Sequence, residues 1–136
     1  MMISTKGRYA VRFMIDLAEQ STDTPVPLDE TAARQDISKK YLETIVKILV
    51  KGKLVKGTSG KGGGYRLMRR PEEYTVGEIL ELTEGTLATV ACLDADAEPC
   101  PRESICKTLP MWRKIDNIVH DYFFNITLAD LVNGIF

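Results

Sequence analysis

Residues 28–52 read LDETAARQDISKKYLETIVKILVKG, and the fold turns on how this stretch divides. Leu28 followed by Asp29 predicts a staple-and-cap start to a short helix through Gln35. Asp36 and Ile37 make a tight turn. Ser38 then offers the side-chain oxygen that caps a second helix, with Leu42, Ile45, Ile48 and Leu49 spaced to share one buried face. Lys51 suits its last turn, and Gly52 the stop that follows. Two short helices joined by a tight turn, the second Ser-capped, form a helix-turn-helix. The exposed side of the second helix carries Lys39, Lys40, Tyr41, Glu43, Thr44 and Lys47. With Ser38, these supply hydroxyl, amine and carboxylate groups, the types that meet phosphates and base edges when a helix end enters the major groove. Glu43 has two readings. A lone acid on a basic surface repels phosphate, which makes sense if it accepts from a cytosine amine. Equally, it can pair along the helix with Lys39 or Lys47 at four-residue spacing.

Directly downstream, residues 54–68 (LVKGTSGKGGGYRLM) set two short strand-forming runs around a glycine-rich loop, a β-hairpin in the position of a wing. Its glycines let the backbone approach a groove wall, and Lys61 at the tip can enter a minor groove or meet phosphate. A nucleotide loop does not fit. Only two residues separate Gly57 from Gly60-Lys61 where a Walker loop needs four, and Gly62 stands where Ser or Thr is required.

Upstream, Ser4 or Thr5 caps a first helix with Val11, Met14, Leu17 and Ala18 at helical spacing, widened by Ala10 and Phe13. Residues 21–27 form a loop or short extended segment ended by Pro25 and Pro27. After the hairpin, the capping box Thr75-x-x-Glu78 opens a helix with Val76, Ile79, Leu80 and Leu82, stopped by Gly85. Residues 91–107 (ACLDADAEPCPRESICK) have neither helical nor strand period and read as a loop holding Cys92, Cys100 and Cys106. Thr108 and Pro110 start a long helix in which Met111, Ile115, Ile118 and Tyr122 recur at steps of four, three and four, beside Trp112, Val119 and Phe123. So broad an apolar face predicts a dimerisation helix, with packing across the chain's own core as the alternative. Thr127 caps a last short helix to Val132, stopped near Gly134. The expected fold is mainly α with a small β-hairpin. A winged helix-turn-helix head spans 1–85, a cysteine loop 86–107, and a dimerisation helix with a terminal short helix 108–136.

Composition narrows the function. At 136 residues, 44% hydrophobic and 27% charged, the chain suits one globular domain with an appendage. No apolar run approaches the ~18 residues of a membrane span, and the N-terminus lacks a signal peptide's apolar stretch. The expectation is a cytoplasmic protein with no membrane partner and reduced thiols. Three cysteines, an odd number, argue against a disulfide framework. The net charge of −1 hides a separation: residues 38–70 carry ten Lys and Arg against Glu43 alone, and residues 72–106 nine acids against Arg102 alone. That asymmetry points to a polyanion, here double-stranded DNA. An enzyme such as a thiol oxidoreductase is the rival, opposed by a single histidine and the lack of any Cys-x-x-Cys pair.

Ile3-Ser4-Thr5-Lys6-Gly7-Arg8-Tyr9-Ala10, Ile37-Ser38-x-x-Tyr41-Leu42-Glu43, Gly62-Gly63-Gly64-Tyr65, Val76-Gly-Glu-Ile79 and Asn125-Ile-Thr-Leu128 together resemble the Rrf2 family of bacterial winged-helix regulators across essentially the whole chain. The resemblance implies a homodimer on a two-fold operator, with the C-terminal helices crossing between subunits. Lys6, Arg8 and the wing residues Ser59 and Lys61 then join the α-helical contacts with DNA. Ser59 stands where the family often has an arginine. It also implies an iron–sulfur cluster, [2Fe–2S] in preference to [4Fe–4S], on Cys92, Cys100 and Cys106. Seven residues rather than the usual five separate the first two cysteines, and the positions of the fourth ligands used within the family are Leu109 and Arg8 here.

The thiols themselves allow other contents. A cluster's fourth ligand could be Asp94, Glu98, Glu103, a partner-subunit group or an external thiol. Zinc on three cysteines would need His120, about 20 Å along the helix at ~1.5 Å per residue, and so from the partner subunit. A thiol switch or plain free thiols complete the set. The function expected is a sequence-specific repressor whose DNA affinity follows the cluster or thiol state of this loop. The alternative is a regulator without a cluster, controlled by a partner protein or small effector.

Overall fold

The computed structural model describes residues 2–20 and 23–136. Among these residues are six α-helices and one hairpin: α1 (Thr5–Glu19), α2 (Leu28–Gln35), α3 (Lys39–Lys51), β1 (Val55–Thr58), β2 (Gly64–Leu67), α4 (Val76–Glu84), α5 (Leu109–Asn125) and α6 (Leu128–Asn133). This is the mainly helical, winged helix-turn-helix architecture. Residues 21 and 22 of the first expected loop lie outside the described residues. Its end is held by Val26, which exchanges two backbone hydrogen bonds with Tyr65 (2.8 and 2.9 Å) and so adds a rung beside β2.

The helix starts follow their short polar caps. Ser4 accepts from the Gly7 amide, Ser38 from Tyr41, Thr75 from Glu78, and Thr127 shares a reciprocal box with Asp130. Three local expectations are corrected. Asp29 does not cap α2; Pro27, with φ already helical, lets the helix begin at Leu28 with no side-chain cap. The Thr75 box is half made, because the Glu78 carboxylate turns to Arg69 at 2.6 Å. Gly52 does follow the last residue of α3 as expected, but without the left-handed conformation usual for a glycine stop: its φ is −79, and Lys53 takes φ 60. Gly52 is instead a close-approach residue: a Cβ there would meet the Leu82 side chain at 2.3 Å.

One core holds the head together. Phe13, Met14 and Leu17 of α1, Leu42, Ile45, Val46 and Leu49 of α3, Ile79 of α4 and Leu128 of α6 are all at most 2% exposed. Val46 therefore takes the place expected of Ile48, which is only half-buried, and Val11 and Ala18 sit at the edge of the α1 arc. Leu128 brings the chain's last helix back onto α1 and the core.

The wing is fixed from below by a residue the sequence did not flag. Tyr74 is fully buried; its hydroxyl donates to the Leu54 carbonyl (2.5 Å) and accepts from the Met68 and Arg69 amides (2.9 and 3.1 Å). These groups stand at the two feet of the hairpin, and Arg69 lies over the ring at 4.3 Å. Gly64, with φ 151, passes so close to Val26 that a Cβ would meet its carbonyl at 2.3 Å, so this glycine serves the hairpin's own packing. Tyr74→Phe strips three backbone groups of their partner and is expected to cost about 1–3 kcal/mol. Hydrogen exchange should speed up across residues 55–67 more than in α1. A uniform change would place the effect in the core and not in the wing.

Candidate nucleic-acid interface and thiol cavity

With Leu42, Ile45, Val46 and Leu49 turned inward, the opposite face of α3 is left to solvent. A groove of about 600 Å3 runs between this face and the hairpin. Its walls bring together Lys39, Glu43 and Lys47 of α3 with Ser59 of the wing, and add Asp29 and Thr58. The other expected contacts lie outside it. Ser38, Lys40, Tyr41 and Thr44 occupy the exposed flank of α3, and Lys61 the open tip of the hairpin. Lys6 and Arg8 sit on the first turn of α1, where Arg8 bonds the Thr5 hydroxyl at 3.1 Å. Tyr9 meets Tyr41 edge-on at 5.9 Å, with Arg12 5.0 Å above the Tyr9 ring, so α1 is joined to the start of α3.

The ion pairs on this face leave both readings of Glu43 in place. Lys39 Nζ lies 2.5 Å from Asp29 Oδ1, and the hydrogen bond and charge of Asp29 raise the pKa of its ammonium. Among the described residues Glu43 makes no ion pair, and its charge adds to that of Asp29 in raising the pKa of Lys39. Its carboxylate is left on the groove wall. Asp29 was missed because a carboxylate beside a helix start looks like a cap, while its partner lies ten residues on.

A buried polar clamp positions α2 against α1. Asp16 is 2% exposed and accepts from Thr31 Oγ1 (2.8 Å), Arg34 Nε and Nη2 (both 2.9 Å) and Gln35 Nε2 (3.3 Å). Burial pushes its carboxyl up, and the hydrogen bonds from Arg34, Thr31 and Gln35, with the Arg34 charge, more than reverse this and hold it below its ordinary value. Arg12 adds a second tie to Gln35, through both side chain and carbonyl.

The cysteine loop is irregular apart from two single 3-10 turns, Ala91–Leu93 and Glu103–Ile105. All three cysteines are free, and all three line one cavity of about 240 Å3. Glu98, Glu103, Leu109 and Arg113 share its wall, and Asp94 does not. Cys106 Sγ lies 3.4 Å from Thr108 Oγ1. That hydroxyl, with the amides of Thr108 and Leu109 at the start of α5 and the charge of Arg102, pulls the thiol's pKa below its ordinary value. Side chains further along α5 also bind the loop region: Arg113 Nη2 to Glu103 Oε1 at 3.0 Å, and Asp116 Oδ1 to the Thr89 amide and hydroxyl at 2.7 and 3.0 Å.

Among the described residues no three His, Cys, Asp or Glu side chains are grouped to hold a metal ion. His120 stacks on Phe124 at 4.3 Å and lines a different cavity of its own chain. An iron–sulfur cluster spreads its ligands over more than one iron, so soft thiols distributed around one cavity fit that group's donor set. Beyond the cavity, α5 turns Met111, Trp112, Ile115, Ile118 and Tyr122 outward, each 37–54% exposed. Its other side packs through Phe123 and Phe124 against Val76 and Leu80 of α4.

The family model described as Rrf2, iron-dependent transcriptional regulator, matches residues 3–134. The chain belongs to the Rrf2 family. It is 38% identical over 134 residues to the HTH-type transcriptional regulator IscR of Pectobacterium atrosepticum, covering 98% of this chain and 80% of that relative. Among solved structures, CymR, the global cysteine regulator of B. subtilis, matches with a TM-score of 0.80 at 36% identity over 98% of both chains. T. potens IscR matches with a TM-score of 0.77 at 33% identity, over 98% of this chain and 88% of that one. This Rrf2 protein is thus a transcriptional regulator of the winged-helix type. Among its described residues no helix is long and apolar enough to cross a membrane.

Proposed function

We propose that this Rrf2 protein is a homodimeric repressor that reads a two-fold operator with α3 and the wing, and whose hold on DNA follows an iron–sulfur cluster in the Cys92–Cys106 loop. The observation that carries the control half is the single cavity lined by all three free thiols. Cys92, Cys100 and Cys106 would hold the cluster, [2Fe–2S] in preference to [4Fe–4S]. When bound, the group supplies a redox-active, oxidant-sensitive centre. The rest is done by the chain. The head (1–85) presents Glu43 to a cytosine amine while Lys40, Lys47 and Lys61, with Lys6 and Arg8, meet phosphates. The segment 108–136 supplies the dimer contact. In support, the exposed seam of α5 repeats at steps of four, three and four, the pattern that two like helices interdigitate. Since α5 starts three residues after Cys106 and is tied to the loop region by Asp116 and Arg113, a rearranged loop moves the helix that spaces the two α3 helices.

Anaerobic purification with iron, sulfide and visible absorbance tests the cluster, and electrophoretic shifts with loaded and emptied protein test the coupling. A colourless, iron-free protein after reconstitution sinks the cluster. Glu43→Ala should relax discrimination at one base position by about tenfold, equivalent to ~1.4 kcal/mol, and leave nonspecific binding nearly unchanged. A second reading is favoured by the lowered pKa of Cys106: control by thiol oxidation without a cluster. In that case colourless wild type loses operator binding on peroxide treatment and Cys106→Ser does not.

A further inference from the structure

The thiol cavity has two carboxylates on its wall, Glu98 and Glu103, and a single guanidinium, Arg113. We propose that Glu103 is the cluster's fourth protein ligand, and that Arg113 of α5 holds this carboxylate until the cluster arrives. The inference rests on the cluster reading above and says which residue completes it.

Three thiolates leave one position of a four-ligand set to fill. Leu109 also lines the cavity, and its side chain has no donor atom. Glu103 is placed for the role. Its amide donates to the Cys100 carbonyl at 3.0 Å, so its backbone is fixed to one candidate ligand, and three residues later the turn delivers Cys106. Its carboxylate is neutralised by Arg113 at 3.0 Å, whereas Glu98 makes no ion pair among the described residues. Both partners are 55% exposed, and a pair so open to solvent is weak. Iron therefore displaces it readily.

The exchange moves no electrons. An iron–oxygen bond to Glu103 forms as the ion pair breaks, Arg113 keeps its proton, and the water or external thiolate that had closed the fourth position leaves. The consequence falls on α5. Without the cluster, side-chain contacts tie the loop region to this helix by Glu103 to Arg113 and by Thr89 to Asp116. With it, the Glu103 tie is lost and the Thr89 tie remains. Arg113 lies two residues from both Met111 and Ile115, so the released contact belongs to the helix that carries the apolar seam.

The test reconstitutes wild type, Glu103→Gln, Glu98→Gln, Glu103→Cys and Arg113→Gln anaerobically and follows visible absorbance against a chelator. Glu103→Gln should lose its cluster at least about tenfold faster, Glu98→Gln at the wild-type rate, and Glu103→Cys should regain retention with an altered spectrum. Arg113→Gln, freed of the competing pair, should hold its cluster longer than wild type. A Glu103→Gln half-life equal to wild type, or a shortened one in Glu98→Gln alone, overturns the assignment. An Arg113→Gln half-life no longer than wild type overturns the holding role. Wild type that takes up no cluster is a separate result, and it overturns the reading beneath.

Discussion

Replacing Ile115 and Ile118 together by Glu should turn the protein into a monomer and weaken binding to a two-fold operator by at least about 100-fold, or ~3 kcal/mol. Both side chains belong to the seam of α5 and are 40% and 53% exposed, so the head does not depend on them. In an isologous dimer each substitution occurs twice, which puts four carboxylates into one apolar contact. An ionised carboxylate buried without a partner costs several kcal/mol, more than an interface of this length recovers elsewhere. A monomer keeps one α3 and one wing, so it holds one half-site and neutralises about half the phosphates. The salt dependence of binding should fall by roughly half with the affinity. Analytical ultracentrifugation reads the assembly, a salt titration reads the DNA contact, and a melting curve near that of wild type shows that the head is intact. A variant that remains dimeric with full affinity would move the dimer contact off α5.

The parts of this fold that were legible are those set by neighbours in sequence. Ser4, Ser38, Thr75 and Thr127 cap because a short polar side chain before an apolar period has one local use. The hairpin followed from glycines between two strand-forming runs. What failed or was missed depends on partners far along the chain. Asp29 looked like a cap, but Pro27 starts α2 earlier and Lys39 takes the carboxylate. Glu78 completes a capping box in sequence, yet in the fold Arg69 donates to both of its carboxylate oxygens. On α3, Ile48 and Val46 lie on opposite shoulders of the same arc, and only the packing of the other helices decides which is buried. Tyr74 carried no signal, since its importance comes from Leu54 and Met68 meeting beneath the wing. The cysteine loop divides in the same way. Its irregular backbone was legible, but that three thiols share one cavity with Glu103 and Arg113 required the turn into α5.

Asp16→Ala should destabilise the head by about 2–4 kcal/mol, a fall in Tm of about 10 °C for a chain this size, and should loosen the helix-turn-helix before the rest. The carboxylate is the shared acceptor for Thr31, Arg34 and Gln35, all on α2, and it lies at the middle of the α1 face that meets that helix. Without it, the fully buried Thr31 hydroxyl loses its partner, while Arg34, whose side chain is 35% exposed, recovers water and recovers part of the loss. The same clamp dictates an acid limb. A carboxyl whose folded pKa is depressed contributes stability above its unfolded value and loses it as pH falls through the folded one. Here that places the loss below the ordinary 3.8. Wild type should therefore lose its advantage over Asp16→Asn as pH falls below 3.8, since the amide keeps a hydrogen bond to Thr31 and cannot titrate. Equal stability of the two proteins at pH 7, or a gap between them that is unchanged at pH 3, would show that α2 is held by its apolar contacts through Leu28 and Ala32 instead. Because α2 and α3 form one helix-turn-helix, a loosened α2 should also weaken operator binding, even though Asp16 is buried away from the groove.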